Sequence, residues 1–233
     1  MIAPNAAPDY GSAVFAGWRR AAGDEWPAYT RHAFVHGLGD GSLPRAAFLR
    51  YLTQDYLFLL HFARAWALAV VKAGDLEEMR AAAATVDALV NQEIRLHVET
   101  CAAAGIAEKS LLATEEEMET LAYTRFVLDA GLSGDFLDLL AALAPCVLGY
   151  GEIGAWLGDA ATERTYGEWI DAYAASDYQA LCLSVGRLID RAAAARLGAA
   201  PEASPRWADL CRTFRTATRL EAGFWDMGLR VQR

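Results

Sequence analysis

An all-α fold is the class this chain predicts, and three observations predict it. Alanine, leucine, glutamate and arginine, all strong helix formers, dominate the 233 residues. No stretch longer than a few residues alternates apolar with polar types as a half-buried strand requires. Apolar residues recur instead at helical spacing between well-marked breaks. With 55% apolar and 22% charged residues and a mean hydropathy of +0.13, the composition is that of a packed globule, not of a disordered or fibrous chain.

The breaks fall at Gly37 to Pro44, Ala73 to Asp75, Gly105, Gly131 to Asp135, Gly158 to Glu163, Ala175 to Asp177 and Gly198 to Pro205. They divide the chain into about eight helices. Ser42, Ser133, Ser176 and Ser204 stand where N-caps belong, and Pro44 and Pro205 suit a first turn. None of the loops is long enough to be a linker, so residues 1–233 read as a single-domain helical bundle without internal repeats.

Twenty-one basic against 30 acidic residues give a net charge of -9 and a pI near 4.9. Such a chain repels phosphate backbones and anionic lipid, which argues against nucleic-acid and membrane partners. The opening MIAPNAAPDYG has neither the basic nor the apolar region of an export signal. The longest apolar run read from the sequence, Leu57 to Val71, is interrupted by His61 and Arg64, so no membrane span is expected. Cys101, Cys146, Cys182 and Cys211 are scattered without a disulfide or zinc spacing. The expected location is the cytoplasm.

Three places break the helical pattern. On the helix from Pro44 to Lys72, an apolar stripe of Phe48, Leu52, Leu59, Phe62, Ala63, Trp66 and Val70 opposes Arg50, Gln54, His61 and Lys72. Asp55 falls inside the stripe, where a carboxylate is costly unless a polar group answers it. It is a buried structural pair or part of a site. On the last helix, from Pro205 to about Arg230, Glu221 sits on the face of Trp207, Leu210, Phe214, Ala217, Phe224 and Trp225, opposite Arg212, Arg215 and Arg219. Burial there would raise its pKa and let it carry a proton at neutral pH. In AALAPCVLGYGEIG, Pro145 interrupts a helix, Cys146 follows it, and Tyr150 lies one turn further on. A lone cysteine is usually an inert core residue, and Cys101, Cys182 and Cys211 are read that way. Cys146 stands apart because a kink, a phenol and two misplaced carboxylates supply what a covalent mechanism needs.

Glu93 and His97 stand one turn apart, half of a helical di-iron site, but no second carboxylate–histidine pair follows. They are read as a buried hydrogen-bonded pair. Trp66, Trp156, Trp169 and Trp225 read as core aromatics, and Glu115 to Glu117 as a solvated helix start.

YLTQDYLFLLHFARAWALAVVKA from Tyr51, APCVLGYGEIG from Ala144, YGEWIDAY from Tyr166 and TATRLEAGFWDMG from Thr216 together resemble the TenA family, also called thiaminase II. The resemblance covers nearly the whole chain. It implies a heme-oxygenase-like all-α fold, commonly a homotetramer. It also implies hydrolysis of an aminomethyl-pyrimidine to its hydroxymethyl form in thiamine salvage, with thiamine cleavage as a related activity. By the same resemblance, Cys146 matches the nucleophile and Glu221 the proton-transferring acid, while Asp55, Tyr150 and Tyr173 match positions that hold the pyrimidine. Tyr123 and Phe224 match pocket positions.

Position 58 is phenylalanine where many members place a tyrosine thought to sharpen the cysteine. Val147 and Leu148 stand where the family often has an aromatic residue and tryptophan. The chain carries no cofactor fingerprint, so the expected enzyme uses neither a metal nor an organic cofactor. Two other readings remain open at this point: a non-catalytic helical protein that binds a pyrimidine or a partner, kept alive by Phe58, and a metal-dependent oxidase suggested by Glu93 and His97.

Overall fold

Each helix begins and ends where the chain supplies a reason. The computed structural model describes residues 8–230. The stretch read for an export signal therefore lies partly outside the described residues. Helix α1 (Ala13–Ala22) starts at Ser12, whose hydroxyl accepts from Phe15 N–H, and ends at Gly23 with φ 59°. The short α2 (Glu25–Thr30) and α3 (Ala33–Asp40) follow, with the His32 ring capping α3. Helix α4 (Arg45–Lys72) runs from Pro44. Asp75 caps α5 (Leu76–Ala88), a π-helical turn spans Leu89–Glu93, and α6 (Ile94–Ala103) and α7 (Glu108–Leu112) continue from it. The chain completes itself with α8 (Met118–Ser133), α9 (Phe136–Ala160), α10 (Gly167–Ala174), α11 (Ser176–Leu197), a 3-10 turn and α12 (Trp207–Leu229). The described residues contain no strand.

Among the described residues, twelve α-helices replace the expected eight, because α2, α3, α7 and α10 are five to eight residues long and some are parted by a single residue such as Ala175. None of the four serines expected as caps occupies that position. Asp135, two residues beyond Ser133, caps α9 through a reciprocal box with Asp138, where a carboxylate also suits the positive helix end. Pro44 itself is the N-cap of α4, Ser176 is the first residue of α11, and Arg206 precedes α12.

Helix α9 is the centre of the molecule, packed by α8, α10, α11 and α12, while α4 lies between α5, α6, α8 and α12. Eighteen residues of α9 are buried, and it alone among the described residues is long and apolar enough to cross a bilayer. The expectation that no segment meets that test is therefore corrected; here the helix is enclosed by its neighbours. The anticipated stripes of α4 and α12 are buried, with Val70 and Trp207 half-buried at the edges. Gln54 is not on a polar face. It is buried, accepts from Glu117 N–H and Thr120 Oγ1, and donates to the Glu115 carbonyl, because α4 is enclosed nearly all round at mid-length. Glu116 and Glu117 are half-buried and paired, with Arg125 and Arg50 respectively.

Two devices fix the helices around the site. Buried Glu152 on α9 accepts from Trp26 Nε1 at 2.9 Å and pairs with Arg31 at 3.1 Å, which holds α2 and its Tyr29 beneath Pro145. At Gly154, a Cβ would run into the backbone of Tyr173, so glycine is what lets α10 approach α9 closely enough to deliver that tyrosine.

Candidate active site

Six elements converge on one point. Asp55 and Phe58 come from α4, Glu93 from the π-turn, Tyr123 from α8, Cys146 and Tyr150 from α9, Tyr173 from α10, and Glu221 and Phe224 from α12. A cavity of about 330 Å³ is lined by Asp55, Glu93, Cys146, Tyr150, Tyr173 and Tyr178, among mostly apolar neighbours. Its size and its few convergent polar groups are those of a small-molecule site.

Cys146 follows Pro145 inside α9, and the Glu221 carboxyl is near enough that thiol and carboxyl act on each other's titration. Glu221 also accepts from Tyr123 Oη at 2.8 Å. Burial pushes the Glu221 carboxyl up to about 8; the Tyr123 bond opposes that rise and the charge of Asp55 adds to it. Burial likewise pushes the Cys146 thiol well above its ordinary value, and the negative charges of Glu221, Glu93 and Asp55 push it further. Thiol and carboxyl are thus neighbours that burial pushes toward their neutral forms, a pairing suited to proton exchange.

Asp55 has two donors on one oxygen: His97 Nε2 lies 2.7 Å from Oδ2, and Tyr51 Oη donates to it at 3.0 Å. Trp169 Nε1 donates to Tyr51 Oη at 3.2 Å, and the Tyr150 hydroxyl lies 3.4 Å from it. Across the cavity Tyr150 packs against Tyr173 with ring centroids 4.9 Å apart. Tyr173 Oη donates to Glu93 Oε1 at 3.1 Å. Burial raises the Glu93 carboxyl.

Of the sequence-predicted site residues, Asp55, Cys146, Tyr150 and Tyr173 line the cavity. Glu221, Tyr123 and Phe224 are not among the residues that line it. Tyr123 meets the Glu221 carboxyl, and Phe58 packs on Tyr123 at 4.8 Å and on Phe224 at 5.7 Å, so position 58 brings ring area and no hydroxyl to this cluster. Val147 lines the cavity and Leu148 is fully buried.

Glu93 and His97 do not pair through their side chains, contrary to expectation. His97 Nδ1 meets the backbone carbonyl of Glu93 at 3.0 Å, and the two side chains serve Asp55 and Tyr173 separately. The π-turn that ends at Glu93 rephases the helix and accounts for this. Both imidazole nitrogens are occupied, which leaves no ring lone pair for a metal. Tyr51 escaped the sequence reading, although its place one turn before Asp55 put it on the same face. Trp169 was read as core, and it carries a polar role besides.

A model of the TENA/THI-4/PQQC family matches residues 20–231. A protein of Halalkalibacterium halodurans named aminopyrimidine aminohydrolase is 38% identical over 87% of this chain and 89% of its own length. Its Helicobacter pylori namesake is 31% identical over 87% of this chain and 92% of its own. Among solved structures, a TenA family transcription regulator from Silicibacter sp. TM1040 superposes with a TM-score of 0.93 at 60% identity, covering 94% of this chain and 97% of that one.

Proposed function

Because the chain belongs to the TENA/THI-4/PQQC family, we propose that it is an aminopyrimidine aminohydrolase of thiamine salvage. It converts 4-amino-5-aminomethyl-2-methylpyrimidine to the hydroxymethyl pyrimidine, with thiamine cleavage as a related activity. The observation that carries this reading is the Cys146 thiol and the buried Glu221 carboxyl side by side at a cavity that Cys146 and the Asp55 carboxyl line.

Displacing an amine directly from the methylene carbon is hard, and a covalent route divides the barrier. Glu221, as carboxylate, takes the Cys146 proton, and the thiolate sulfur forms a bond to an electron-poor ring carbon. The electron pair driven into the ring then breaks the bond to the amine, which leaves as it takes the proton from Glu221. Water adds to the exocyclic methylene and gives a proton to Glu221. The ring expels sulfur, which recovers that proton, and the net change is water consumed and ammonia released. Asp55 accepts the exocyclic amino group, and Tyr150 and Tyr173 give the ring stacking faces.

The test is incubation with the aminomethyl-pyrimidine, its formyl derivative and thiamine while the hydroxymethyl product is measured. Product from any one supports the reading; binding without product from all three favours a regulatory protein, the name borne by the Silicibacter structure. We infer a cytoplasmic homotetramer, supported by the family resemblance and by Val71 and Leu132, exposed to 80% and 68% and both adjoining Lys72. Light scattering that gives a monomer mass at all concentrations overturns it.

A further inference from the structure

His97 is 4% exposed and both of its ring nitrogens are bonded. Nδ1 lies 3.0 Å from the carbonyl oxygen of Glu93, and a carbonyl has no proton to give, so Nδ1 is the donor. Nε2 lies 2.7 Å from Asp55 Oδ2, a separation that requires a proton between them. The remaining question is which partner holds that proton. Tyr51 Oη, which receives the Trp169 N–H, gives its own proton to the same Oδ2 at 3.0 Å. Of a carboxyl and an imidazole that share one proton, the imidazole is ordinarily the stronger base, so the proton belongs to His97.

We propose that His97 is a positioning residue that stays doubly protonated beside Asp55, keeping that carboxyl an anion and thereby setting a preference for 4-amino over 4-oxo pyrimidines. The proposal rests on the aminopyrimidine reading above. With Oδ2 held by His97 and Tyr51, Oδ1 is left to accept the exocyclic amine. A 4-oxo ring would set its carbonyl oxygen against that anion, with no proton between them.

The surroundings require such a cation. Asp55, Glu93 and Glu221 all act electrostatically on Cys146, and the charge of Asp55 helps push the Glu93 and Glu221 carboxyls toward their neutral forms. Asp55 faces His97 from α4, and the carboxyl of Glu93 acts on it from the π-turn. Arg45, Arg164 and Glu168 line a neighbouring cavity of about 370 Å³ that His97 also borders, with Arg164 tied to Asp171. Burial alone lowers the His97 pKa, but the bond to Asp55 and the charges of Asp55 and Glu93 outweigh it, and the net direction is upward. That direction favours the cation, which is lost as pH climbs past the raised value. The pair is neutral overall, so it does not repel the charge that thiolate addition drives into the ring.

The experiment combines ring-nitrogen NMR of the wild-type protein with binding of the hydroxymethyl pyrimidine and its 4-oxo counterpart to wild type, His97→Gln and His97→Phe. The expected NMR result at neutral pH is two protonated nitrogens on His97. Wild type should prefer the amino ring, and His97→Phe should reduce that preference about 10- to 100-fold, the span of one charge-assisted hydrogen bond. His97→Gln, which restores a donor without charge, should retain part of the preference. One bare ring nitrogen, or an unchanged preference in folded His97→Phe, overturns the proposal. If the variants fail to fold, the wild-type NMR result decides it alone. Failure of wild type to bind either pyrimidine overturns the underlying reading instead.

Discussion

Replacing Glu221 with glutamine should make the protein more stable and much less active, and the size of the gain follows from the site. Burial holds this carboxyl at about 8, against an ordinary 4.5. The ionised form therefore lies about 5 kcal/mol less favourable in the folded protein than in the unfolded chain. A raised carboxyl means the folded state binds the proton more tightly than the unfolded state. Its contribution is fully present below pH 4.5, declines between 4.5 and about 8, and is lost above that. Glutamine has no such loss and still accepts from Tyr123, so the stability difference should be near zero at pH 4.5 and grow to an upper bound of about 5 kcal/mol above pH 8. At roughly 2–4 °C per kcal/mol for a chain of this size, melting points should part by up to about 10–20 °C at pH 8.5. Melting both proteins at one fixed concentration from pH 4.5 to 9 measures this, since any oligomer makes Tm concentration-dependent. Turnover should fall about 10²- to 10⁴-fold, the usual share of a positioned acid–base group. A melting-point difference that stays flat with pH would refute the buried, proton-carrying role of Glu221.

Three further outcomes follow from the same geometry. Phe58→Tyr, which adds a hydroxyl where many relatives carry one, should raise the rate at neutral pH and shift the pH–rate profile toward acid; an unmoved profile would separate position 58 from thiol activation. Asp55→Asn, whose amide still accepts from Tyr51 and offers an N–H to a neutral His97, should raise KM far more than it lowers Tm, because it removes the anion that the ligand meets; the opposite pattern in the two measurements would make Asp55 structural. Gly154→Ala should push α10 away from α9 and displace Tyr173, costing about 1–3 kcal/mol in denaturant unfolding together with a higher KM; wild-type values of both would mean that the close approach does not set the site.

The residues that carry the chemistry were legible because they stood in the wrong places. Asp55 and Glu221 interrupt apolar stripes, and Cys146 follows a proline inside a helix. Periodicity exposes such misfits from one helix at a time. It does not say who meets whom. The Tyr51–Asp55–His97 contacts join α4 to α6, and the π-turn before α6 shifts the phase on which any wheel drawn through Glu93 and His97 would depend. Gln54 was misplaced for a related reason: a wheel assigns one outward face, and mid-α4 has almost none. Helices of five to eight residues, parted by single residues, are too short for a hydrophobic period to declare itself. The serine caps failed because an aspartate two residues nearer α9 made a stronger cap than Ser133, while Ser176 lies already inside α11.

The account stands most directly on the sulfur of Cys146. Wild type and Cys146→Ser should be compared for formation of the hydroxymethyl pyrimidine from the aminomethyl substrate across pH 6 to 9, with binding of the product measured on the same samples. Thiol attack assisted by Glu221 predicts that the wild-type kcat/KM rises through about pH 8, where that carboxyl ionises. It also predicts that the serine protein binds product and turns over nothing measurable, since a hydroxyl at its free pKa is a poor nucleophile. Substantial turnover by Cys146→Ser would contradict the covalent mechanism.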